Sequence, residues 1–360
     1  MLSKQTSLFF ALLRYSIGVE DSFSELTEEE WQSIYELAKK QSLVGVAFMG
    51  VSRLPAELQP PKRVKLNWYL QAEKIIKRNA QVNKVAVGIS EAFAKKRCRN
   101  CILKGQGNAL MYPKPELRTC GDVDIWVASA PADLIKLAKA KRPTAKAEYH
   151  HIDFAPIGGI AVELHYRPSF MNNLINNARM QRWFVEQGKV QMEHRVELPD
   201  GVGQIPAPTD SFNRIYQMAH ISNHVIHEGI GLRQLLDYYY LLQRGFTAEE
   251  QQEDERLLKY FGLYDVARAV MYVLREVFGL TADKMIVSVD ERRGAFLLEE
   301  ILQAGNFGHY DERVKHDGGA WQQNVQRLRR DLRLLRYFPS ECLWEPVFRW
   351  YHFFWRLRHR

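Results

Sequence analysis

Asp122 and Asp124 stand one residue apart in Asp122-Val123-Asp124-Ile125-Trp126-Val127. Read as a strand, this run sends both carboxylates to one face and Val123, Ile125 and Val127 to the other. Two carboxylates on one face of a buried strand are costly unless a cation neutralises them. Hard divalent cations take oxygen ligands, and Mg²⁺ typically uses one or two carboxylates together with substrate phosphates. Glu163-Leu164-His165 repeats the alternation, so Glu163 and His165 share a face. Where the two strands are neighbours, Glu163 becomes the third carboxylate within reach of one cation. The competing reading is a solvated acidic edge, because D-x-D is a short motif.

Other reactive types are spaced less tellingly. His220, His224 and His227 fall at i, i+4 and i+7 on one helix, a spacing that suits Zn²⁺, but no H-E-x-x-H pattern accompanies them. They read better as polar residues lining a cleft. Arg233 and Asp237, four apart, are expected to pair with each other. Cys98 and Cys101 form a lone C-x-x-C without a second one, which argues against zinc. Cys101-Ile102-Leu103 is a short apolar run entering Lys104-Gly105-Gln106-Gly107, a glycine turn whose backbone N–H groups can face an anion where a helix begins.

Taken together, the string Leu103–Tyr112, the run Arg118-Thr119-Cys120-Gly121-Asp122-Val123-Asp124 and Glu163-Leu164-His165 resemble a bacterial nucleotidyltransferase-like family of the DNA polymerase β superfamily. Ala219-His220-x-x-x-His224 and Gly231-Leu232-Arg233-x-x-Leu236-Asp237 continue the likeness, which spans 103–237. The resemblance implies a metal-dependent transfer of a nucleoside monophosphate from an NTP to a hydroxyl or other nucleophile. It places Asp122, Asp124 and Glu163 as catalytic metal ligands for Mg²⁺, with Mn²⁺ as the alternative. Lys104, Gly105, Gln106, Gly107 and Arg118 become nucleotide-binding residues, and His165, His220, His224, Arg233 and Asp237 line the substrate cleft. One departure stands out: the superfamily's usual Gly-Ser is Gly105-Gln106 here, so the phosphate-binding hydroxyl is missing. A catalytically silent binding protein that keeps the fold is the alternative reading.

The elements that must position these residues divide into three stretches. Residues 1–99 are helical in pattern. Thr27 and Glu30 have capping-box spacing, and 63–97 reads as one long helix or two collinear ones with Leu66, Leu70, Ile75, Val82, Val85, Ile89 and Phe93 on one face. Residues 100–207 alternate strand and helix, with a strand over 159–166 and a hairpin over 188–206 at the sheet edge. Residues 208–360 are helical again, with a Gly/His/Asp-rich loop over 305–319 and breaks expected at Pro339 and Pro346. The expected fold is α+β, a small mixed-sheet core between N- and C-terminal helical segments.

With 360 residues, 46% apolar and 26% charged, the chain is globular and able to bury a core without staples. Four cysteines are too few for a secreted disulfide scaffold. Arg14 interrupts the apolar start of the chain, no cleavage-site pattern follows, and no apolar run spans a membrane, so a soluble cytoplasmic protein is expected. The net charge of +8 is uneven. Residues 61–100 hold eleven Lys and Arg against Glu73 and Glu91, and 325–360 hold nine Arg against Asp331, Glu341 and Glu345. Such blocks suit a polyanionic partner or a solvated helix face. The first block ends directly at the strand that carries Lys104, so its basic face is expected at the cleft mouth. No aromatic-rich RNA motif interleaves with it, which favours a small-molecule or protein acceptor over RNA. The tail with Trp344, Phe348, Trp350, Phe354, Trp355, Arg356, Arg358 and Arg360 either lies on a membrane surface or packs back on its own domain, the commoner outcome.

Overall fold

The structure, a computed structural model, describes residues 2–314 and 319–359; the rest of the expected 305–319 loop and Arg360 lie outside the described residues. Four helices come first: α1 (Lys4–Ser16), α2 (Glu28–Lys40), α3 (Val44–Arg53) and α4 (Lys62–Lys95). Thr27 and Glu30 close the capping box of α2, each side chain accepting from the other's backbone N–H. α4 is a single 34-residue helix. Its buried face differs at the N-terminal end from the expected one: Val64, Trp68 and Ala72 are inside, while Leu66 and Leu70 are exposed. Trp68, the largest apolar group there, takes the interior and sets the helix rotation.

The central region follows as β1 (Asn100–Leu103), α5 (Gly105–Ala109), β2 (Val123–Val127), α6 (Pro131–Lys141), β3 (His151–Asp153) and β4 (Val162–His165). After α7 (Leu174–Glu193) come β5 (Arg195–Leu198) and β6 (Gly203–Pro206). The main sheet has the order β1-β2-β4-β3, parallel between β2 and β4 and antiparallel elsewhere. β5 and β6 make a separate two-stranded sheet instead of extending this one. Ile102, Val123, Ile125, Val127 and Leu164 share a core with Val82 and Ala86 of α4 and Leu134 and Ala138 of α6.

Among the described residues, seven α-helices follow: α8 (Asp210–His227), α9 (Leu232–Gln243), α10 (Ala248–Tyr260), α11 (Tyr264–Phe278), α12 (Glu291–Ala304), α13 (Ala320–Leu335) and α14 (Pro339–Arg358). Pro339 opens α14, where a missing N–H costs nothing, whereas Pro346 lies inside it without ending it. The two helical stretches share one core, in which Phe9 and Leu13 of α1 lie with Val270 and Leu274 of α11. The fold is thus α+β, mostly helical around a small mixed sheet.

Two contacts fix the loop before β2. A Cβ on Gly45 of α3 would meet the Leu117 carbonyl oxygen at 2.1 Å, so glycine permits the close approach. Asn79 of α4 donates from Nδ2 to the carbonyls of Glu116 and Arg118, both at 2.8 Å.

Candidate active site

Strand register builds the centre of the site. Asp124 on β2 pairs with Glu163 on β4, and Trp126 with His165, so the three polar side chains rise from the same face. His165 donates from Nε2 to Asp124 Oδ1 at 2.9 Å, with Glu163 Oε2 at 3.1 Å, and its Nδ1 faces the Arg167 carbonyl at 3.3 Å. Both ring nitrogens meet acceptors, which requires a proton on each. Burial opposes that charge, but the bonds to Asp124 and Glu163 outweigh it and carry the imidazole up to about 9.

Lys104 follows β1 directly and places its ammonium 3.0 Å from Asp124 Oδ2. Its backbone has φ 51° and ψ −139°, a region that favours glycine and costs a lysine on the order of 1–3 kcal/mol. The turn aims the side chain inward; Lys104 is no surface charge. Burial disfavours the charged Asp124, yet Lys104 and His165 outweigh it and hold the carboxyl well below the usual range. Asp122 behaves oppositely. The charge on Asp124, burial and the charge on Glu163 push it up to about 6.

A second buried pair lies close by. Arg118 donates to Asp237 from Nε at 2.7 Å and from Nη2 at 2.6 Å, and Tyr112 adds its hydroxyl at 2.7 Å. Asp237 therefore pairs with Arg118 and not with Arg233, as its position four residues on had suggested. Arg233 instead donates from Nη1 to the Thr119 carbonyl at 3.1 Å. Its Nε and the Nη1 of Arg118 are buried without a partner among the described residues.

Lys104, Gly105, Asn108, Arg118, Asp122, Asp124, Glu163, His165, His220, His224, Arg233 and Asp237 line one cleft of about 820 Å³. Gln106 and Gly107 do not line it. Gln106 is buried and donates to Asn83 of α4, so at this position the glycine turn contributes Gly105 but not the residue that replaces the family's serine. None of the basic residues of 61–100 lines the cleft either. α4 buttresses the sheet from behind, and the cleft's outer arginines, Arg327, Arg330, Arg349 and Arg356, come from α13 and α14.

Residues 27–279 match a family described as uncharacterised nucleotidyltransferases. The chain belongs to that family. Among solved structures it resembles an antigenic nucleotidyltransferase-like protein from Paracoccidioides brasiliensis at 13% identity and a TM-score of 0.32, covering 49% of this chain and 87% of that one. No curated protein matches it significantly.

The donor chemistry of the cleft fits a divalent cation. Three carboxylates face one ammonium and one imidazolium, which leaves an acidic excess, and the raised Asp122 registers it. Among the described residues, ligand atoms of Asp124, Glu163 and His165 lie within 4.8 Å of one another, as do those of His150, His151 and His165 and those of His151, Asp153 and Glu163. Asp122, which alternation places on one face with Asp124, precedes β2 and joins none of these sets. The helical histidines His220, His224 and His227 join none of them. His150 and His151 escaped the sequence reading. β3 is only three residues long, so alternation gave no signal, yet it pairs His151 with His165.

Proposed function

We propose that this nucleotidyltransferase moves a nucleoside monophosphate from an NTP to a hydroxyl or other nucleophile of a small-molecule or protein acceptor. The observation that supports this reading is the division of charge along one cleft. An acidic cluster of Asp122, Asp124 and Glu163 lies in the same cleft as Arg118, which is paired with Asp237, and Arg233, which both Asp237 and Asp122 influence. A cation–triphosphate pair has the complementary arrangement. Asp122, Asp124 and Glu163 would hold Mg²⁺ or Mn²⁺, which when bound screens the triphosphate and lowers the pKa of an acceptor hydroxyl. Arg233 Nε and Arg118 Nη1 have hydrogen-bonding capacity to spare for phosphate oxygens. Lys104 keeps Asp124 ionised.

One observation favours the silent-binder reading. Lys104 and His165 already partner Asp124, and no serine hydroxyl follows Gly105. The two readings separate in one assay. The protein is incubated with each α-labelled NTP and Mg²⁺ or Mn²⁺, beside Asp122→Asn and Asp124→Asn. Label incorporation or pyrophosphate release that both substitutions abolish supports transfer. Activity unchanged by either removes this site from consideration, and nucleotide binding without turnover supports the silent protein.

A further inference from the structure

α14 is apolar on two opposite sides. Cys342, Phe348 and Trp355 are buried against the molecule, while Leu343, Val347, Trp350, Phe354 and Leu357, spaced 4-3-4-3, form a stripe on the far side. Leu343 is 63% exposed, Trp350 66% and Phe354 55%, so this stripe faces solvent along the helix. Tyr351 and Phe353 widen it, and Leu328 and Leu332 of α13 extend the exposed apolar surface. An apolar stripe of this length on a surface helix marks a face that another surface covers.

The charges around the stripe point to what covers it. All three acidic residues of α13 and α14 (Asp331, Glu341 and Glu345) are buried. Arg329, Arg336 and Arg358 are exposed and in no ion pair among the described residues, whereas Arg327 and Arg356 line the cleft. Two copies meeting through this face would bring arginine flanks together with no exposed carboxylate of the hairpin to answer them. A leaflet of anionic phospholipid satisfies both features. The aromatic and aliphatic stripe enters the boundary between headgroups and acyl chains, and the guanidinium groups meet phosphates. No helix of the described residues is long and apolar enough to cross a membrane, so such a helix would lie on the surface.

We propose that the α13–α14 hairpin docks the protein on an anionic bilayer surface. The full chain is floated with vesicles of phosphatidylcholine alone and of phosphatidylcholine mixed with phosphatidylglycerol, at low and moderate salt. Binding to the mixed vesicles is expected, weakened by salt and absent on phosphatidylcholine. The double variant Trp350→Ser/Phe354→Ser and the separate variant Arg329→Gln/Arg358→Gln should each lower binding by more than about tenfold. These side chains are exposed, so the circular dichroism melt should match the parent protein. Failure to float on the mixed vesicles overturns the proposal, as does binding that neither variant alters. A dimer in light scattering that the aromatic variant dissociates, without vesicle binding, would also overturn it and assign the stripe to a second copy.

Discussion

Asp124 and Asp237 are both buried on the wall of one cleft, and each faces a cation, yet their surroundings are built on opposite plans. Asp237 receives three hydrogen bonds, two from Arg118 and one from Tyr112, with no second carboxylate bonded to the same donors. Asp124 shares its His165 proton with Glu163, has Asp122 beside it, and meets a lysine ammonium instead of a guanidinium fork. In one, the carboxylate is fully answered by its donors and closes charge between α9 and the loop before β2. The other leaves acid in excess. Counting donors against carboxylates separates a group that holds the fold from a group with coordination to spare, which residue type and burial alone do not.

The largest expected effect tests the acidic side of that contrast. Asp122→Asn removes the carboxylate that its neighbours push up to about 6, so relief of repulsion should keep or raise the melting temperature. Nucleotide transfer should fall roughly 10³-fold, equivalent to about 4 kcal/mol in the transition state. Steady-state pyrophosphate release measured beside a thermal melt checks both. A variant that loses activity and stability together would place Asp122 in the same class as Asp237.

Asp237→Asn should show the reverse balance. It leaves Arg118 buried without its counter-charge, a loss on the order of 3–5 kcal/mol of folding stability. Urea unfolding of Asp237→Asn, Arg118→Met and the double variant measures the coupling. The contrast is sharpened if the double variant recovers part of the loss, since both charges then leave the interior together. Equal, additive losses would show that the two side chains do not act as a pair.

What could be read from sequence follows the same division between local and distant. The shared face of Glu163 and His165 follows from two-residue alternation, and the Thr27–Glu30 box from a spacing of three. Both are short-range rules. Asp237 was given to Arg233 because four residues make helical neighbours, but Arg118, distant in sequence, offered a two-pronged fork and took the carboxylate. Likewise proximity in sequence places the basic block before β1 at the cleft, whereas packing sets α4 behind the sheet and gives the cleft arginines of α13 and α14 instead. Periodicity states which face of an element is apolar. It does not state which distant element will meet that face.

A third buried carboxyl, Glu341 in the first turn of α14, extends the comparison to pH. It accepts the backbone N–H groups of Asn172 at 2.6 Å and Asn173 at 3.4 Å but has no cation partner among the described residues. Burial therefore dominates and pushes it from 4.5 up to about 7, while Asp237, against the opposing cost of burial, is pulled down by Arg118. A carboxyl raised in the folded state binds its proton more tightly there than in the unfolded chain. Its contribution is fully present below about pH 4.5 and is lost as pH rises to about 7, on the order of 3 kcal/mol at most. Asp237 has the opposite sign: its contribution is present at neutral pH and lost only as the medium becomes acid enough to protonate it. Glu341→Gln keeps a carbonyl oxygen for the Asn172 N–H but cannot ionise. Denaturant midpoints across this interval should fall more steeply for the parent protein than for Glu341→Gln, with the two converging at the acid end. Parallel profiles would mean that Glu341 stays ionised in place, held by the two backbone N–H groups, and that a cation is not needed to keep a buried carboxylate charged in this fold.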